Sequence, residues 1–276
     1  MTDLSSASEL ERSPREDIEA VWDDKKGGDP PTARDVLAAL RSVEVPVNEN
    51  RQNVKSDKDA EIRSCTFGAL GRSNSAARVS ETSRKRPRLT RLLAEFGKTV
   101  VPEGFPFASI QLNHNYASAM HCDTSNDGAS CIFALGDFHG GELWALDRGV
   151  LPCHGEPRVF NGNQPHCTMP FRGERYSLIY FSTAGHDRLA PKDAQILDFL
   201  GFPLPTERLT HTYRAASFPV PHLEHPYTFG FHVTTEERCE AAKRALENWK
   251  EDWAATPCKA DDDDTTFAAA AAAAAA

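Results

Sequence analysis

Between residues 107 and 182 the chain reads His121-Cys122-Asp123, then Phe138-His139-Gly140-Gly141-Glu142-Leu143-Trp144, then an isolated His166, then Arg175-Tyr176-Ser177-Leu178-Ile179-Tyr180-Phe181. Short apolar segments there are separated by Gly, Asn, Pro and Asp, the spacing of an antiparallel double-sheet roll. Strands are predicted over 108–113, 119–123, 130–135, 142–147, 158–160, 164–169 and 175–182. Such a roll protects its edges by pairing two sheets, and its open mouth is a natural place for a bound group. The expected fold is mainly β with flanking helices around a jelly-roll core at 105–185.

Outward from this core the pattern changes. Residues 1–30 are rich in Ser, Asp, Glu and Lys and too poor in large apolar groups to offset the entropy of ordering, so they are predicted to be a disordered tail. Residues 31–104 read as a support segment. In it Thr32 and Asp35 resemble a capping box ahead of a helix carrying Val36, Leu37 and Leu40. A strand is expected near 62–70. The basic run Ser83-Arg84-Lys85-Arg86-Pro87-Arg88 precedes an amphipathic helix with Leu89, Leu92, Leu93 and Phe96 on one face. That run reads as an import signal, a nucleic-acid contact or a solvated helix entrance. Residues 186–257 read as helical support, with a helix opened by Pro191 and another from Glu236 whose stripe is Ala242, Leu246, Trp249 and Trp253. Residues 258–276, acidic and then poly-alanine, read as a second disordered tail.

Composition narrows the classes. In 276 residues the hydrophobic fraction is 40% and the charged fraction 26%, as in a globular protein with one core. The net charge of −9 argues against a uniformly basic nucleic-acid surface. Seven cysteines form an odd set without a C-x-x-C pair, so neither a disulfide framework nor a structural zinc site is indicated. Reduced thiols fit an intracellular compartment, cytoplasmic or nuclear. No apolar run approaches the length of a membrane span, so no membrane partner is expected.

In a strand, alternate residues share a face, so His121 and Asp123 turn inward together while Cys122 points away. His166 lies far enough along the chain to arrive on another strand as a third ligand. Two histidines and one carboxylate that leave metal positions open form the facial triad of non-haem Fe(II) sites. Asp137 with His139 is a rival pair, weakened by the adjacent Gly-Gly turn. On the last strand Arg175 and Ser177 share a face opposite Tyr176, Leu178 and Tyr180. A guanidinium fork with a neighbouring hydroxyl suits one end of a dicarboxylic cosubstrate whose other end reaches the metal. Arg172 is the rival arginine, placed beside Gly173 in an expected turn.

The order His-x-Asp, Gly-Gly-Glu-Leu, His, Arg-x-Ser resembles the 2-oxoglutarate- and Fe(II)-dependent dioxygenase superfamily over residues 105–185. Residues 136–143 and 175–180 look most like its ten-eleven-translocation (TET) and J-binding-protein (JBP) branch, which oxidises pyrimidines in nucleic acid. The resemblance implies a double-stranded β-helix, cupin-like core. It implies Fe(II) on His121, Asp123 and His166, 2-oxoglutarate held by Arg175 and Ser177, and O2 as the oxidant. It further implies Asn126 as a substrate-contacting residue. Oxidative decarboxylation to succinate and CO2 would then drive hydroxylation of a substrate C–H bond. The substrate stays open between a modified pyrimidine in nucleic acid, a protein (a prolyl-hydroxylase-like activity) and a small molecule. A catalytically inactive binding or scaffold domain is the alternative of a different class.

Overall fold

The computed structural model describes residues 29–51, 54–55, 61–71, 75–123, 125–146 and 148–206, together with 236–237, 239–240, 242–244 and 246–247. Two compact units separate among them, one drawn from 1–44, 66–110 and 182–208, the other from 45–65, 111–181 and 209–276.

In the first unit α1 (Ala33–Arg41) begins at the predicted capping box. The Thr32 hydroxyl accepts from the Asp35 amide at 3.3 Å, and the Asp35 carboxylate accepts from the Thr32 amide at 2.9 Å. Its buried residues, Val36 and Leu40, belong to the predicted face, and it packs on α3 (Pro87–Val100), whose Leu89, Leu93 and Phe96 are buried. Between them lies the short α2 (Glu81–Lys85), and α4 (Pro191–Phe199) opens on Pro191 as expected. The basic run forms the junction of α2 and α3 and is held by local partners. Arg84 pairs with Asp193 at 2.6 Å, Lys85 with Glu81 at 2.6 Å, and the Arg86 guanidinium donates to the Glu44 carbonyl at 3.1 Å. That is the geometry of a helix entrance. Strand β1 (Arg63–Leu70) reaches this unit at Thr66, and β2 (Arg78–Val79) pairs antiparallel with its end. The two-residue β2 is too short to leave a period in the sequence.

The second unit holds the roll. Its strands are β3 (Ser109–His114), β4 (Asn126–Gly140), β5 (Leu143–Ala145), β6 (Gly149–Leu151), β7 (Arg158–Phe160), β8 (His166–Thr168) and β9 (Phe171–Thr183), of which β3 and β9 each extend into the first unit. β3, β9, β4 and β7 lie side by side in that order, and β6, β5 and β8 form a second sheet. β4 with β7, β5 with β6 and β5 with β8 pair antiparallel. Ile132, Ala134 and Phe138 from β4, Phe160 from β7, and Leu143 and Ala145 from β5 meet in one apolar cluster, so the two sheets face each other across a common core. The expected mainly β architecture, a double-stranded β-helix roll with flanking helices, is therefore the observed one.

Several strands differ from their predicted extents: β9 begins at Phe171 where 175 had been expected, β5 and β8 are shorter than predicted, and β6 was not predicted. β4 runs fifteen residues, where only 130–135 had been expected, because 126–135 is buried on both faces and so lacks the polar alternation that would mark its length. The segment 119–123 is not a strand. His121 alone bridges to His166, and the Asp123 amide turns to the Gly162 carbonyl at 2.8 Å. The described residues of 236–247 are helical, and Ala242 and Leu246 pack with Trp144, Leu146, Cys167 and Met169. Trp249 and Trp253 lie outside the described residues, as do both predicted tails apart from residues 29 and 30. No helix among the described residues is long and apolar enough to cross a membrane.

Candidate metal centre

His121 and His166 sit directly opposite one another, joined by reciprocal backbone hydrogen bonds of 3.0 and 2.9 Å, which brings their ring centroids to 4.3 Å. β8 is fixed on its other side by the pairing of His166 with Ala145 of β5. Each imidazole makes the same local bond, Nδ1 to the carbonyl two residues earlier: His121 to Ala119 at 2.7 Å and His166 to Gln164 at 2.9 Å. A carbonyl can only accept, so both Nδ1 atoms carry a proton and donate it, and the Nε2 atoms are the ones left to turn toward Asp123. The Asp123 carboxylate lies 3.8 Å from each Nε2, through Oδ1 to His121 and Oδ2 to His166. The ligand atoms of the three residues lie within 4.8 Å of one another, and this is the one such group among the described residues. Burial, and then the neighbouring His166, push the His121 imidazole down to about 4, which keeps it in the neutral form a metal requires.

The carboxylate is itself held. The Asn126 amide donates to Asp123 Oδ2 at 3.2 Å and to Ser130 Oγ at 3.3 Å. Gly162 closes this corner, since a Cβ there would stand 3.0 Å from Ser130 Oγ, 3.1 Å from Asn126 Nδ2 and 3.3 Å from Asp123 Oδ2. Both N–H groups of the Asn126 amide are thus engaged within the protein.

The three residues open onto a cavity in the roll. Asn113, Tyr116, Asn126, Thr168 and Ser177 supply polar wall, and Ile132, Leu143, Phe160, Ile179 and Phe181 supply apolar wall. Phe160 sets its ring edge-on to His166 at 5.1 Å. Ser177 accepts from Asn113 at 3.2 Å, and Asn113 in turn accepts from Tyr116 at 3.0 Å.

Arg175 is not part of that wall. It is 2% exposed, its guanidinium lies 5.4 Å from both the Phe138 and Phe171 ring centroids, and its Nη2 reaches Cys153 Sγ at 3.7 Å. Among the described residues its Nε has no hydrogen-bond partner. The Gly140-Gly141 turn makes room for it. Both glycines have positive φ, and a Cβ on Gly141 would stand 2.8 Å from Arg175 Nε.

The rivals separate cleanly from this site. Asp137 and His139 are exposed on either side of the buried Phe138, and Arg172 is exposed. Sequence reasoning missed Arg51. It lines the cavity with its guanidinium 4.0 Å from Asp123 Oδ1, and comes from an irregular segment anchored by Val54, which packs with Ile62 and Tyr116. Only those apolar anchors could have signalled it.

No protein-family model matches the chain, and no curated protein does. Among solved structures it is similar to an oxidoreductase of the 2OG-Fe(II) oxygenase family from Burkholderia pseudomallei, at 21% identity over 52% of this chain and 77% of that one, TM-score 0.37. It is also similar to a prolyl hydroxylase from Trichoplax adhaerens solved with a hypoxia-inducible-factor peptide, at 12% identity over 55% and 76%, TM-score 0.35. A third likeness is to OsALKBH1, at 8% identity over 54% and 93%, TM-score 0.31. Likeness this distant says nothing of activity; the chemistry rests on His121, Asp123, His166 and their surroundings.

Proposed function

We propose that the chain is an Fe(II)- and 2-oxoglutarate-dependent dioxygenase that hydroxylates a C–H bond of its substrate, with His121, Asp123 and His166 as metal ligands. The observation that carries this reading is the pair of Nε2 atoms converging with a carboxylate at one cavity while both Nδ1 atoms are tied to the backbone. A set of two imidazoles and one carboxylate suits Fe(II) and leaves positions open for other ligands. When bound, iron with 2-oxoglutarate and O2 would supply the oxidising power, 2-oxoglutarate leaving as succinate and CO2.

The chain's own residues bind and orient. Asn126 fixes the face that Asp123 presents. Ile132, Phe160, Ile179 and Phe181 give the cavity an apolar lining. Arg175 is assigned the far carboxylate of 2-oxoglutarate, with Ser177. A buried guanidinium whose Nε is unpartnered, and whose nearest companions are two aromatic faces and a thiol, is an incomplete charge site that a carboxylate would complete.

The TET/JBP-like reading of the substrate as a modified pyrimidine draws support only from the resemblance at 136–143 and 175–180. Two of its supports weaken, since the basic run is engaged at a helix junction and the Asn126 N–H groups are turned to Asp123 and Ser130.

The test begins with Fe(II) binding under anaerobic conditions. The parent should bind one ion, and His121→Ala and Asp123→Ala should lose it. Arg175→Ala should weaken 2-oxoglutarate binding by more than about 1.5 kcal/mol. Succinate release with pools of nucleic acid, peptide or metabolites then separates an oxygenase from an inactive scaffold. Variants that hold iron as tightly as the parent would sink the assignment.

A further inference from the structure

Arg51 stands at the cavity wall beside Asp123, yet at 4.0 Å from Oδ1 its guanidinium is beyond hydrogen-bond reach of that carboxylate. Among the described residues the Arg51 side chain makes no other ion pair or hydrogen bond, so within them its fork of five donors meets the cavity without a hydrogen-bond acceptor. Among the described residues it is also the one cation in that wall. Its side chain is 24% exposed, reachable from outside, and its backbone is anchored at Val54: Val54 is fully buried, the Val54 amide donates to the Arg51 carbonyl, and the Ala119 amide donates to the Val54 carbonyl.

Charge sharpens the point. A divalent ion on the triad would take the Asp123 carboxylate as its ligand and leave Arg51 beside a second positive centre, without the counter-charge it now has. In a partly dehydrated cavity an uncompensated guanidinium is unfavourable, and an oxyanion with two acceptor oxygens relieves it bidentately. The far carboxylate of 2-oxoglutarate is assigned to Arg175 and Ser177, which leaves the substrate as the source of the second oxyanion.

We propose that Arg51 is the substrate-reading residue of this site and that the substrate carries an oxyanion, a carboxylate or a phosphate, bound by Arg51 next to the metal ligands. This rests on the dioxygenase reading above, and its test keeps the two apart.

Full-length protein, its Arg51→Gln and Arg51→Lys variants and Ser177→Ala would first be titrated anaerobically with Co(II), followed by its visible absorption. Parent and both Arg51 variants should bind, Arg51→Gln at least as tightly as parent because a neighbouring cation is gone. The Co(II)-loaded, 2-oxoglutarate-saturated proteins would then be titrated with inorganic phosphate and, separately, with acetate, by calorimetry and by the Co(II) spectrum. One or both should bind the parent, weakened about tenfold or more by Arg51→Gln and less by Arg51→Lys, which keeps the charge but loses the fork. Ser177→Ala should weaken 2-oxoglutarate and spare the second anion. Whichever anion binds tells carboxylate from phosphate. The proposal is overturned if neither anion binds, or if Arg51→Gln binds them as parent does. It is equally overturned if Arg51→Gln weakens 2-oxoglutarate while the anions merely displace it, since Arg51 would then read the cosubstrate. Failure of the parent to bind Co(II) would overturn the dioxygenase reading, and this one with it.

Discussion

The Asp123 carboxylate has two unequal oxygens. Oδ2 accepts from Asn126, while Oδ1 faces His121 Nε2 and the Arg51 guanidinium. Partners that orient a metal ligand typically change metal affinity ten- to a hundredfold. Asn126→Ala is therefore expected to weaken Co(II) binding by about tenfold with an altered absorption envelope, at unchanged circular dichroism. An affinity and spectrum equal to the parent's would remove Asn126 from this role. The grouping of His121, Asp123 and His166 was legible from residue type and spacing, but not for the reason the spacing suggested: 119–123 is not a strand, and the bridge of His121 to His166 together with the turn of the Asp123 amide to Gly162 brings the three together. Asn126 was expected, from the resemblance, to contact substrate, but a resemblance carries no direction, and its amide points at Asp123 and Ser130. Arg51 was illegible for a different reason, since its irregular segment has no period and is positioned by burial of Val54 against Tyr116.

Elements with local signals matched their sequence closely. The Pro191 helix starts where proline fixes φ, and β7 spans the predicted 158–160. The capping box of α1 offers a direct check: Thr32→Ala should cost about 1 kcal/mol and lower the melting temperature by roughly 2–4 °C, read by thermal unfolding. A loss below a few tenths of a kcal/mol would mean that packing of Val36 and Leu40, rather than the cap, holds the helix end. Strand extents were the poorer guide. β4 is longer than predicted because 126–135 is buried on both faces, whereas β9 gains the more exposed residues 171–174 at its start; within β9, Tyr176, Leu178 and Tyr180 are as enclosed as Arg175 and Ser177 behind them. The apolar and polar faces of β9 cannot be told apart by hydrophobicity alone, and only the arginine and serine mark the inward one.

For the molecule as a whole, the neutral His121 makes stability depend on pH. Its folded value of about 4 lies below the ordinary 6.5, so between those limits the unfolded chain holds a proton that the folded one lacks. Stabilisation by this group is full above about pH 6.5 and is lost as pH falls towards 4, by roughly 3 kcal/mol at most. Urea unfolding of metal-free protein across this range should show that slope, and His121→Gln should flatten it; an unchanged slope would mean that the imidazole is already charged in the fold. The pairing of His121 with His166 has a kinetic consequence as well. It joins segments far apart in the chain, with β4 to β7 between them, and such closures come late in folding because loop entropy opposes them. A metal that needs both rings finds no partner in the transition state, so adding Co(II) should leave the refolding rate unchanged and act only by retarding unfolding. Stopped-flow chevrons with and without the ion would then share a refolding limb and diverge on the other, making the metal a lock on a finished molecule and no template for its assembly.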